Sequence, residues 1–381
     1  MKIEQFGLPN NLLCFSHLRW DFVFQRPQHL MSRFAKEINV FFLEEPVYDS
    51  PALPTISAHK KNDNLTILIP HLPAEMQHED ETSIMRSLLS HFLDGANLKD
   101  WIFWYYTPMS LRFSDHFSAG LTVFDCMDEL SAFDFAPKDL VALEMSLLKT
   151  ADIVFTGGHS LHEVKRHLHD NIHVFPSSID KEHFSLARTL NNEPEDQKNI
   201  SGIKLGFIGV IDERFNAELI RQVAEMRPEW QLILLGPIVK ISVDSLPSGP
   251  NLHYLGQKSY DTLPSYLSGW NIALIPFAIN NSTRFISPTK TPEYLAAGLR
   301  VVSTPINDVI KPYGIERLVE IAANADEFII AIEKYLSAKD NITWLKNVDL
   351  FLKDKSWDNT FEDMKKNMIW SLQEINKLLA S

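Results

Sequence analysis

The sequence predicts an α/β protein built from two doubly wound halves, and three observations lead there. Short apolar runs, bounded by polar or turn residues, recur along the chain with helical stretches between them, the pattern of buried parallel strands alternating with helices. One polar, acidic stretch, residues 187–200, interrupts that alternation, which then begins again. At 381 residues the chain is long enough for two domains.

In the first half, strands are expected at 12–15, 38–43, 65–69, 101–106, 121–124, 153–156 and 172–175. Helical patterns at 27–37, 138–150 and 160–169 separate several of them. Residues 187–200 read as an interdomain linker. Beyond it, strands are expected at 204–208, 231–235, 252–255, 272–275, 300–303 and 318–321, with helices at 216–226, 260–268, 292–297 and 325–337. A last helix, about 357–379, carries Phe361, Met364, Met368, Leu372, Ile375 and Leu379 at helical spacing. The domains are expected at 1–186 and 201–355, with 356–381 packing back on the first. Two Rossmann-like domains facing each other leave a cleft lined by the carboxyl ends of both sheets, so chemistry is sought just after the strands.

Composition limits the function classes. The formal net charge is −13, and residues 1–185 carry 15 Lys or Arg against 25 Asp or Glu. An acidic surface argues against nucleic acid as a partner and against firm docking on anionic lipid. The run Lys165-Arg166-His167 leaves room for weak peripheral membrane contact. Cys14 and Cys126 lie in apolar runs as buried thiols, and no Cys/His group has zinc spacing. No signal-like start and no apolar run near the roughly 20 residues of a membrane span are present, so the expectation is a cytoplasmic protein, at most at the inner face of the membrane.

Four segments could carry chemistry. The first is 280–298, NNSTRFISPTKTPEYLAAG, which follows a strand and enters a helix. Thr291 can cap, Pro292 suits the first helical position, Glu293 the first turn, and free N–H groups beside Lys290 suit a diphosphate. Glu293 can accept hydrogen bonds from ribose hydroxyls, or serve only the helix dipole. The second is 206–214, GFIGVIDER: Gly206 and Gly209 permit close backbone approach, and Arg214 either meets a ligand or pairs with a neighbouring acid. The third is 124–129, where Asp128 is a candidate general base, with Asp125, Glu129, His17 and His159 as rivals, or a helix cap. The fourth is 17–29, where Arg26 opens a helix and can hold an anion or pair with Glu44 or Glu45. The aromatics Trp101, Trp104, Tyr105 and Tyr106 either stack a sugar or fill a buried strand.

Ser287-Pro288-Thr289-Lys290, then Glu293-Tyr294-Leu295-Ala296-Ala297-Gly298 and Val301-Val302-Ser303-Thr304, resembles the donor motif of GT-B glycosyltransferases. The likeness is to group-1, family 4-like bacterial enzymes of surface-polysaccharide assembly, near the xanthan-type glucuronosyltransferases and teichuronic-acid-type enzymes. Trp20-Asp21-Phe22, Gln25-Arg26-Pro27-Gln28-His29-Leu30 and Asp125-Cys126-Met127-Asp128-Glu129 resemble that group too. The resemblance implies a GT-B fold whose C-terminal helix crosses back to the first domain. It implies a metal-independent sugar transfer from a nucleoside-diphosphate sugar, UDP or GDP, to a hydroxyl of a glycan or lipid-linked acceptor. No separate cofactor is implied. Donor contacts would fall on Gly209, Arg214, Ser287, Thr289, Lys290, Thr291 and Glu293, a further substrate contact on Arg26, and the base role on Asp128. Many family members have an acid eight positions before the residue matching Glu293, where this chain has Phe285. Two alternatives stay open: a nucleotide-sugar 2-epimerase, and a non-catalytic nucleotide-sugar-binding subunit of a polysaccharide-assembly complex. The missing Gly-x-Gly-x-x-Gly after the first strand argues against a plain dehydrogenase.

Overall fold

The computed structural model describes residues 7–50, 53–74, 78–134 and 136–380. Its first nine strands are β1 (Asn11–Phe15), β2 (Asn39–Leu43), β3 (Val47–Ser50), β4 (Thr55–Asn62), β5 (Leu65–Pro73), β6 (Trp101–Tyr105), β7 (Leu121–Cys126), β8 (Ile153–Thr156) and β9 (Ile172–Val174). They form one sheet in the order β3-β5-β2-β1-β6-β7-β8-β9, with β4 paired antiparallel to β5. The other six are β10 (Ile203–Ile208), β11 (Trp230–Leu235), β12 (Leu252–Gly256), β13 (Ile272–Ile275), β14 (Arg300–Ser303) and β15 (Val319–Ile321). These run all parallel in the order β12-β11-β10-β13-β14-β15. Counted within its own domain that order is 3-2-1-4-5-6, the doubly wound arrangement, in which the chain reverses direction beside the first strand and opens a crevice there. The first sheet repeats the same reversal, with β2 and β6 flanking β1.

The central strands were legible because both faces of each sheet are covered. Leu12, Leu13, Cys14 and Phe15 are all 0% exposed, with Leu12 and Cys14 in one core and Leu13 and Phe15 in the other. The helices follow from local signals. In Arg26–Phe34, Gln25 and Gln28 form a capping box and Pro27 fills the first turn. In Ala217–Met226 the Asn216 side chain accepts from Leu219 N, and Leu219, Ile220, Val223 and Ala224 are buried along one stripe.

Residues 187–200 are not an open linker. Phe175 packs on the first core, whereas Ile179, Phe184 and Ala187 belong to the second, so the core changes between Phe175 and Ile179. Gln197, 0% exposed, accepts from Trp270 Nε1 at 2.9 Å and donates to Tyr266 O. The polar composition belongs to a strap lying on the second domain, solvated outside and anchored by the buried Gln197 amide and by the pairing of Arg188 with Asp349. The core changes again near the C-terminus. Trp344, Val348 and Leu352 pack in the second domain. Trp357, Phe361, Met364, Met368 and Leu372 of the helix Trp357–Ala380 pack with Leu30, Met31 and Phe34 of the first. Arg33–Asp358 and Lys365–Glu37, both 2.7 Å, flank that contact.

Candidate active site

The sheet order β2-β1-β6-β7 brings the ends of four strands to one edge of the first domain, and the end of β7 with the segment after it carries three acidic residues. Their partners separate them. Asp125, 0% exposed, is held by Arg26 through Nε–Oδ2 at 2.9 Å and Nη2–Oδ1 at 2.8 Å, while Arg26 Nη1 donates to Phe175 O at 2.7 Å. The expectation that Arg26 contacts substrate is therefore corrected: its guanidinium is a buried strut, and neither Glu44 nor Glu45 is its partner. Arg19 takes Glu44 instead, at 3.0 Å. Glu129 accepts from Lys165 at 2.7 Å, and Lys165 also pairs with Glu144 at 2.8 Å. Lys165 is thus buried and paired, which removes it from the expected basic membrane patch.

Asp128 remains. Its half-buried carboxylate makes no hydrogen bond or ion pair among the described residues, and the short helix that follows has Glu129, not Asp128, at its cap position. Burial pushes its pKa up to about 6, although Arg214 and Arg26 pull it down. Arg214 reaches it from the other domain. There Arg214 is paired with Asp212, Nη2–Oδ2 at 2.7 Å, and its guanidinium lies over the Phe133 ring at 5.3 Å. The two domains also meet where Asp134 N donates to Glu213 Oε1 at 3.0 Å. Arg214 Nη1 has no partner among the described residues. The cleft thus places a free carboxylate of one domain opposite a partly satisfied guanidinium of the other.

A cavity of about 610 Å³ opens between the two domains, and its wall includes Gly209 and Val210 of the loop that leads to Arg214. Phe22 and Phe24 wall it from the first domain, and Gly209, Gly236, Tyr260 and Lys290 from the second. Gly236, at φ +147°, packs its backbone where a Cβ would sit 1.8 Å from Gly209 O. Those two loops close over each other at the floor of the cavity. Gly206 is corrected: a Cβ there would meet Trp270 at 2.1 Å, so it serves the core and no ligand. Lys290 reaches Glu293 Oε2 at 2.8 Å, and burial raises the Glu293 pKa against the pull of that ammonium.

The helix here begins at Lys290, two residues before the expected start, with Thr289 at its cap position and no side-chain cap. Thr291 is therefore inside the first turn, fully buried, and its Oγ1 has no partner among the described residues. Ser287 lines a smaller cavity of about 180 Å³ at the domain junction, with His159 and Asp308. The structure so brings Gly209 and Lys290 to one cavity, with Glu293 paired to Lys290, and sets Arg214 against Asp128. It does not bring Arg26 or Thr291 there.

Other candidates fall elsewhere. His17 follows β1, and burial lowers its pKa to about 4, so its ring is neutral at pH 7. Its Nδ1 is buried without a partner among the described residues. His159 is exposed. Trp101, Trp104, Tyr105 and Tyr106 are all buried in or beside β6, which settles them as core. Phe285 packs against the core of the first domain, and Arg284 lies over its ring at 5.1 Å.

No family model matches the chain. A Bacillus subtilis (strain 168) protein whose name assigns it to teichuronic acid biosynthesis, the glycosyltransferase TuaH, is 26% identical over 308 residues, 74% of this chain and 76% of its own. Two sugar-phosphate synthases superpose over nearly the whole length. Sucrose-phosphate synthase from Thermosynechococcus elongatus gives a TM-score of 0.66 at 14% identity, covering 97% of this chain and 98% of that one. A UDP-forming trehalose-phosphate synthase from Burkholderia vietnamiensis gives 0.68 at 10%, covering 98% and 99%. The catalytic domain of starch synthase IV from Arabidopsis thaliana, bound to ADP and acarbose, gives 0.65 at 12%, covering 97% and 100%. This chain is a glycosyltransferase of the GT-B fold. Among its described residues no helix is long and apolar enough to cross a membrane. Sequence reasoning about this glycosyltransferase missed Phe22, Phe24 and Tyr260 as cavity walls, although Trp20-Asp21-Phe22 was part of the resemblance. It also missed Asp308, which carries no local signal because its partner lies in the other domain.

Proposed function

We propose that this glycosyltransferase moves a sugar from a nucleoside-diphosphate sugar, UDP or GDP, to an acceptor hydroxyl in the assembly of a surface polysaccharide. The second domain holds the donor and the first domain the acceptor, a glycan or a lipid-linked glycan. The observation that carries this reading is the Asp128 carboxylate, which makes no hydrogen bond or ion pair among the described residues, is raised to about 6, and faces Arg214 on the loop that continues from Gly209 and Val210 of the cavity wall. A general base works best when its pKa lies near the working pH. In this mechanism the acceptor oxygen bonds to the anomeric carbon as the bond from that carbon to the β-phosphate oxygen breaks. The hydroxyl proton goes to Asp128, and the nucleoside diphosphate leaves with the electron pair. Lys290 and Arg214 offset the charge that develops on the departing diphosphate. Glu293 accepts from the ribose hydroxyls, and the Gly209 backbone approaches the phosphates beside Lys290.

Thermal-shift screening against nucleoside diphosphates and their sugars tests the donor half. A nucleotide at a hundred times its Kd would add about 2.7 kcal/mol to the folded state. Incubation of the stabilising sugar nucleotide with the protein tests the rest. Slow donor hydrolysis is expected. Conversion of one sugar nucleotide into another without acceptor would mark a 2-epimerase instead, and binding with neither hydrolysis nor transfer a non-catalytic subunit.

A further inference from the structure

Phe22 belongs to the first domain, yet it walls the cavity whose other side is the second domain, and its ring is 38% exposed there. A lone exposed ring on an open surface needs no explanation. This one stands in a cleft, on a loop that is fixed in place. Trp20 N donates to Glu44 Oε1 at 2.8 Å, Trp20 O accepts from Gln28 Nε2 at 2.8 Å, and the Trp20 ring meets Phe42 edge-on at 5.1 Å. Asp21 pairs with Lys61 at 2.7 Å, and Phe22 O accepts from Gln257 Nε2 across the cleft. Phe24, on the same loop, already has ring partners, with His29 and Tyr260 each 4.7 Å away. Among the described residues Phe22 has no ring partner and packs in none of the four cores.

The cavity has a direction. Gln257, Gly236 and Gly209 are the residues immediately past β12, β11 and β10, which are neighbours in that order, and Lys290 enters from the segment after the next strand, β13. One end therefore carries an ammonium and the other the Phe22 ring. Gly236 and Pro237 face that ring from the second domain with no polar side chain between them, and Leu235 and Leu263 line the same wall. The polar side chains at this end are engaged: Gln257 on Phe22 O, Lys258 on Asp196 at 2.6 Å, Ser259 on Thr262 at 3.2 Å. A sugar ring, rimmed with hydroxyls, would bring many hydrogen-bonding groups to a slot whose partners are taken. A nucleobase brings two flat π-faces, and stacking on an aromatic side chain uses those faces alone.

We propose that Phe22 is a donor-binding residue contributed by the first domain, and that its ring stacks on the nucleobase of the nucleoside diphosphate. The proposal rests on the donor assignment of this cavity and adds what holds the base.

Calorimetric titration of UDP and GDP into wild type, Phe22→Ala, Phe22→Leu and Phe22→Tyr tests it, with a melting curve for each. For whichever nucleotide binds wild type, Phe22→Ala should weaken binding about tenfold or more. Phe22→Leu, which keeps an apolar side chain without the ring, should weaken it at least about fivefold, and Phe22→Tyr should stay within about threefold of wild type. Affinity for inorganic pyrophosphate, which has no base, should change less than about twofold in all three. Unchanged nucleotide affinity in a folded Phe22→Ala protein, full retention by Phe22→Leu, or an equal loss for pyrophosphate would overturn the proposal and leave the donor assignment standing. Failure of wild type to bind either nucleotide would instead remove the donor assignment, and this proposal with it.

Discussion

Asp308 of the second domain accepts a hydrogen bond from Ser160 N of the first, at 2.9 Å, while its other oxygen presses on Gly158. A Cβ at Gly158 would lie 2.3 Å from that oxygen and 3.0 Å from Ser287 Cβ. Gly157, in turn, leaves no room between itself and Met127 O, where a Cβ would lie at 2.4 Å. Two glycines therefore let three loops stack: the one before Lys290, the turn after β8, and the one carrying Asp128. Asp308→Ala should cost about 1.5–3 kcal/mol, because Ser160 N–H loses a charged acceptor in a buried interface. Gly158→Ala should cost a similar amount, because a Cβ there displaces the Asp308 carboxylate whose other oxygen holds Ser160 N. Urea unfolding of both variants checks these values.

Arg26 and Lys290 were both read as ligand contacts, and their variants should behave oppositely. Arg26→Ala leaves Asp125 charged, unpaired and fully buried, which costs about 3–5 kcal/mol. Lys290→Ala, from a partly exposed site in the donor cavity, should weaken binding of UDP or GDP at least about tenfold, with the free nucleoside affected less than about twofold. Calorimetric titration beside a melting curve distinguishes them. Equal affinity of wild type and Lys290→Ala for the diphosphate would contradict the donor assignment.

Glu293→Gln keeps volume and fold and should reduce nucleotide affinity by removing the stronger acceptor. It also leaves Lys290 unpaired, so the loss should be larger for the nucleoside than in Lys290→Ala. Titration with uridine and guanosine reads that contrast, and unchanged nucleoside affinity would remove Glu293 from the ribose.

Ending the chain at residue 355 deletes Trp357, Phe361, Met364, Met368 and Leu372 from the core of the first domain. His29, whose ring stacks on Trp357 at 4.5 Å, loses that cover too. The truncated protein is expected to bind a hydrophobic dye, aggregate and lose activity. A monomeric, active product in size-exclusion chromatography would contradict the packing.

Much of the architecture was legible because parallel strands buried on both faces read as uninterrupted apolar runs, as in β1 and β13. β4 was not, because Thr55–Asn62 is an antiparallel outer strand, exposed along most of its length and spelt TISAHKKN. The strap at 187–200 was misread because its anchors, Gln197 and Arg188, find partners only in the folded second domain. The same limit applied at the site. Asp125, Asp128 and Glu129 lie within five positions and look alike in sequence. What separates them is 99 residues away at Arg26 and 36 residues away at Lys165.

The central claim is that Asp128 accepts the acceptor proton, and the pH dependence of kcat/KM tests it most directly. The ionised form is the base, so the rate should fall as pH drops through about 6 and lie on a plateau above it. Asp128→Asn should lower the plateau by about 10²- to 10⁴-fold and abolish the acid limb, with nucleotide affinity nearly unchanged. Because burial raises this carboxyl, ionisation opposes folding: its cost is absent below about pH 4 and complete above about pH 6. Asp128→Asn should therefore melt higher than wild type at pH 7.5, by on the order of 1–3 kcal/mol of stability, and equal to it at pH 4. An acid limb near pH 6 that survives in a folded Asp128→Asn protein, with turnover within a few fold of wild type, would contradict the assignment.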